Sequence, residues 1–76
     1  MASRKLRMLC AGGDKTLAEW NTETVSPERL REIEAEFIGK MKQGFFAADI
    51  SHGRNTLTRT FDPNADTLLI PPVKGG

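Results

Sequence analysis

The residues with the most specific chemical potential are the last six, Pro71-Pro72-Val73-Lys74-Gly75-Gly76. Two prolines hold a backbone extended and cannot donate to a β-ladder, so this segment is expected to leave the folded body and reach up to roughly 19 Å at about 3.1 Å per residue. A pair of glycines, lacking Cβ atoms, can thread a narrow channel and bring the chain's carboxylate against a nucleotide phosphate, where bulkier residues would obstruct. At an average glycine usage of about 7%, two final glycines arise by chance in roughly 0.5% of chains. The pair therefore gains its weight from what precedes it. The expected division is a folded domain over residues 1–70 and an extended flexible tail over 71–76.

Other chemical candidates are weaker. Gly12-Gly13-Asp14-Lys15-Thr16 resembles part of a phosphate-binding loop, but that motif needs Gly-Lys-[Ser/Thr] contiguous, and Asp14 intervenes. A hairpin turn is the better reading. His52 and Asp49 would make an acid–base pair only with a nucleophile at hand, and His52 lies in a Gly-Asn-rich turn that favours a solvated side chain. Cys10 is the single cysteine, so no internal disulfide forms, and with one histidine the chain cannot furnish a tetrahedral structural zinc site. Arg4, Lys5 and Arg7 read as a solvated or partner-facing edge rather than a nucleic-acid contact, because eleven basic residues against ten acidic ones leave a formal net charge of +1. No catalytic residue is expected, and a 76-residue chain has little room for a deep enclosed pocket, since a domain of this size buries only roughly 60% of its unfolded surface. The chain reads as a carrier, modifier or binding module rather than an enzyme. No stretch approaches the roughly 20 apolar residues that span a bilayer, and Arg7 splits an N-terminal apolar run too short for a signal core. A soluble, cytoplasmic protein unprocessed at its N-terminus is expected, with neither nucleic acid nor membrane as a partner.

The elements that would position the tail follow from hydrophobic period and turn chemistry. Ser26-Pro27 is a helix start: a hydroxyl accepts from free amides and proline suits the first turn. Leu30, Ile33, Phe37 and Met41 then recur at spacings of three and four, predicting an amphipathic helix from about Pro27 to about Gln43, stopped at Gly44. Lys5–Cys10 alternates as a strand, Ala11-Gly12-Gly13-Asp14 turns, and about Lys15–Trp20 returns, although a regular strand would point Leu17 and Trp20 to opposite faces. Trp20 is assigned to the core or its rim. Phe45–Ile50 and Thr56–Phe61 read as a second hairpin, with one of Phe45 and Phe46 left exposed. The continuous apolar run Thr67–Ile70 predicts a central strand buried on both faces. The fold class is α+β, in the order β-β-α-β-β-β, a mixed sheet with one helix packed across one face.

That order together with Gly75-Gly76 resembles the ubiquitin-like β-grasp family, across nearly the whole chain. Pro71-Pro72-Val73-Lys74-Gly75-Gly76 is similar to the tail of the small subunit of molybdopterin synthase, a sulfur carrier of the same fold, and Phe61-Asp62-Pro63 through Gly76 is similar to the ends of small bacterial ubiquitin-like proteins. Between Met1 and Asn55 the residues match neither ubiquitin nor the sulfur carriers.

The resemblance implies a shared first step, in which an ATP-dependent, ubiquitin-activating type of enzyme joins the Gly76 carboxylate to AMP. The protein itself would bind no cofactor; ATP belongs to the activating enzyme. In the modifier branch the acyl group passes to a cysteine and then to a target amine, with a deconjugating protease as a further partner. In the sulfur-carrier branch it becomes a thiocarboxylate that donates sulfide to an acceptor enzyme in cofactor biosynthesis or thiolation. Gly75 and Gly76 would be the activated terminus, Pro71, Pro72, Val73 and Lys74 the segment gripped by the enzyme, and the outer sheet face its docking surface. A β-grasp interaction module with an incidental diglycine is the third reading.

Overall fold

A computed structural model describes residues 3–51, 53 and 55–72. Its elements are β1 (Ser3–Cys10), β2 (Gly13–Asn21), α1 (Pro27–Lys42), β3 (Phe46–Asp49), β4 (Thr56–Thr58) and β5 (Thr67–Ile70). The strands form one mixed sheet in the order β2-β1-β5-β3-β4. Each hairpin is antiparallel, and β5 joins them by lying parallel to β1 and antiparallel to β3. This is a small α+β protein with one helix on one face of a five-stranded sheet.

Local chemistry accounts for the boundaries. The Ser26 hydroxyl accepts the Arg29 amide at 3.1 Å, Pro27 opens the helix, and Gly44 takes φ +93° just past the Gln43 cap, where a side chain would be strained. The β1–β2 turn is made by Ala11 and Gly12, with Gly12 at φ +92° and Cys10 paired to Gly13. Gly12 and Gly13 therefore serve the hairpin turn that their sequence predicts. β2 carries a bulge. Its register steps from Leu6↔Ala18 to Arg7↔Thr16, so Leu17 has no partner of its own. The slip lets Leu17 pack against the core together with Ala18 and Trp20, which resolves the conflict that a regular strand would impose.

The core lies between α1 and the sheet. Ile33 and Phe37 meet Leu6, Ala18, Trp20, Ala47 and Leu69, with Met8, Leu30, Met41, Phe45 and Phe61 closing its margins. Trp20 is 5% exposed and donates its indole N–H to the Pro63 carbonyl at 2.9 Å, so its polar end is satisfied where its ring is buried.

Two expectations are corrected. The strand predicted over Thr56–Phe61 ends at Thr58. Pairing of Leu57 with Ala48 puts Leu57 on the face away from the helix, and a strand continued with that alternation would send Phe61 there too. Instead the chain turns at Arg59-Thr60, with the Thr58 hydroxyl hydrogen-bonded to the Thr60 backbone, and Phe61 swings under the helix. Its ring lies 5.7 Å from that of Trp20 and 5.8 Å from that of Phe37. Second, β5 is central but not buried on both faces. Thr67 and Leu69 are buried on the helix side, whereas Leu68 and Ile70 are half-buried, because no second layer covers the other face. The apolar run reports central pairing and one covered face.

Candidate functional site

The tail begins at the end of β5, whose last residue, Ile70, pairs with Phe46 at the start of β3. Pro71 and Pro72 are half-buried. A Cβ placed on Gly44 would meet Pro72 at 3.6 Å, ordinary contact, so Pro72 lies beside the stop signal of the helix. The chain thus leaves the middle of the sheet next to the C-terminal end of α1, and its root is held by β5, which pairs with β1 on one side and with β3 on the other. Val73, Lys74, Gly75 and Gly76, four of the six predicted site residues, lie outside the described residues, as does His52.

The face of the sheet turned away from α1 carries the second expected feature, an apolar surface. Phe46 is 55% exposed, Leu57 71% and Leu9 42%, with Leu68 and Ile70 half-buried among the strands. Of the two adjacent phenylalanines, Phe46 is the exposed one, and Phe45 packs on the core margin with the Lys40 ammonium 5.3 Å from its ring centre. Toward β1 and β2 the same sheet becomes polar: Arg7 pairs with Asp14 at 2.7 Å, and a depression of about 530 Å³ is lined by Ser3, Lys5, Arg7, Glu19, Ile50 and Asp66. Charges of both signs there leave no preference for an anion or a cation.

Arg4, Lys5 and Arg7 belong to an inner strand, which corrects their reading as an edge. Arg4 donates to the Asn64 carbonyl at 2.8 Å, and the Lys5 amide donates to the Asp66 carboxylate at 2.8 Å. They tie β1 to the loop before β5. Asp49 and Asp62 each accept a backbone amide two residues on, the Ser51 N–H at 2.9 Å and the Asn64 N–H at 2.9 Å, so both shape turns. Among the described residues no three His, Cys, Asp or Glu side chains gather as a metal ion requires, and no helix is long and apolar enough to cross a membrane.

A groove of about 510 Å³ that the sequence did not signal runs between the last turn of α1 and the β3–β4 hairpin, lined by Met41, Gly44, Phe45, Phe46, Ala47, Leu57, Thr58 and Arg59. Comparison with protein-family models, with curated proteins and with solved structures finds no match to this chain.

Proposed function

We propose that this protein is a ubiquitin-like modifier of the β-grasp fold, cytoplasmic, whose Gly76 carboxylate is adenylated by an ATP-dependent activating enzyme and transferred to a target. The observation that carries the reading is the diglycine at the fifth and sixth residues after a strand at the centre of the sheet, behind two prolines. The strand order β2-β1-β5-β3-β4 with α1 between the two hairpins is compatible with a β-grasp. The carboxylate is a poor electrophile, and the acyl-adenylate gives it a good leaving group; the partner supplies that chemistry, while this chain supplies an unobstructed terminus and a surface to grip. Pro71, Pro72, Val73 and Lys74 serve as the gripped segment, and the open apolar face around Phe46, Leu68 and Ile70 as the docking surface.

The sulfur-carrier reading is favoured by one observation, the Pro-Pro-Val-Lys-Gly-Gly tail. Intact mass of the native protein, with a blot of the same lysate, separates the two. The reading requires a mature chain ending at Gly76. A ladder of heavier species stable to denaturant and thiol supports the modifier; a free species with one oxygen replaced by sulfur, and no adducts, supports the carrier. Only unmodified protein under several growth conditions would leave a plain interaction module.

A further inference from the structure

The groove beside β4 points to a second binding surface, one that adjoins the open face of the sheet at Phe46 and Leu57 and uses neither Gly75 nor Gly76. β4 is the last strand of the sheet, so one side of its backbone has no strand neighbour and presents amides and carbonyls with which an extended peptide can pair. Immediately inside that edge lies the groove, with Met41 and Phe45 as its apolar wall. Leu57, 71% exposed, and Phe46 line the same groove from the outer side of the sheet. A strand added to β4 would run along this groove and lay alternate side chains against Met41 and Phe45 on the helix side and against Leu57 and Phe46 on the outer side.

Charge selects the occupant. The charged residue lining the groove is Arg59, Lys40 stands over the Phe45 ring, and no carboxylate lines the groove. Among the described residues neither cation is ion-paired, whereas Arg7 and Arg29 are. The other edge of the sheet is the poorer template, because the bulge at Leu17 breaks its alternation and Asp14, Lys15 and Glu19 interrupt it with both signs of charge. The geometry points to β4 as the acceptor of an extended, acidic peptide segment of a partner protein, which adds as a sixth strand, seats an apolar side chain against Met41 and Phe45, and sets its carboxylates on Arg59 and Lys40.

The test is selection of a random-peptide phage library on the full chain, followed by amide NMR mapping of the enriched peptides. Enriched sequences should alternate apolar and acidic residues, perturb Thr56, Leu57, Thr58, Arg59, Met41 and Phe45, and lose about tenfold in affinity on Arg59→Glu. Leu57→Lys, at an exposed position that leaves folding intact, should weaken them similarly. Absence of enrichment, enrichment of basic sequences, perturbations centred on Leu9 and Leu68, concentration-dependent self-association through β4, or indifference to Arg59→Glu would each overturn the assignment. A chain ended at Pro72 should bind the same peptides equally well, so this proposal and the reading of Gly76 fail independently.

Discussion

Phe61 is the residue through which the structure departs most from a regular hairpin, and Phe61→Ala measures that departure. If Thr56–Phe61 were one strand, Leu57 and Phe61 would share a face and respond alike to truncation. In the structure Leu57 is 71% exposed, while Phe61 is half-buried with its ring against both Trp20 and Phe37. Removing a fully buried phenylalanine costs about 3–5 kcal/mol. Half-burial lowers that figure, and the loss of two ring pairs worth about 0.5–1.5 kcal/mol each raises it again, so about 2–4 kcal/mol is expected. A 76-residue chain has about 4–11 kcal/mol in all, and each kcal/mol moves the midpoint about 4–8 °C at this size. Phe61→Ala should therefore lower Tm by about 8–32 °C, and Leu57→Ala should change stability by less than about 0.5 kcal/mol. Thermal unfolding followed by far-ultraviolet circular dichroism reads both, and the emission of Trp20 should shift in the Phe61 variant alone. Equal effects of the two substitutions, or a larger one at Leu57, would refute the turn at Arg59-Thr60.

Leu69→Asp should abolish cooperative unfolding, since it places an uncompensated charge at a fully buried site in the central strand; a denaturation curve with an unchanged midpoint would contradict the packing of β5 against α1. Ser26→Ala should destabilise by about 1 kcal/mol through loss of the bond to the Arg29 amide, whereas Ser26→Asp should be close to neutral, both read by urea denaturation. Gly75→Val should leave Tm unchanged and stop adenylate formation in an ATP–pyrophosphate exchange assay with the cognate activating enzyme. Undiminished exchange would remove the channel-threading role given to the glycines.

The helix was the most legible element because Ser26, Pro27, the Leu30-Ile33-Phe37-Met41 stripe and Gly44 all specify the same boundaries. The central place of Thr67–Ile70 was legible from its apolar run, but not that only one face is covered, because strand composition reports pairing and burial together and cannot separate them. The pairing of Leu17 with nothing was foreshadowed by its odd spacing from Trp20, a spacing that only a bulge reconciles with a shared core. The alternation Thr56 to Phe61 misled because local period is blind to a core that needs a third aromatic ring from outside the hairpin. For the candidate site, the exposure of one of two adjacent phenylalanines followed from strand parity alone. The groove at β4 depends on where a helix ends relative to a distant strand, a relation that no local pattern encodes.

The placing of the last strand in the middle of the sheet has a consequence for how the chain is made. Synthesis runs from β1 toward β5, so the first hairpin is complete once Asn21 has been added, yet its neighbour in space arrives only with Ile70. At ribosomal speeds of roughly 5–20 residues per second, those intervening residues take roughly 2–10 s. Throughout that interval the inner edge of β1 is a row of amides and carbonyls without a strand partner, even after α1 has been added to cover Leu6. The nascent domain therefore passes through a stage in which an unpaired edge of its first hairpin is displayed, and the act that hides it is the delivery of the same segment from which the diglycine is launched.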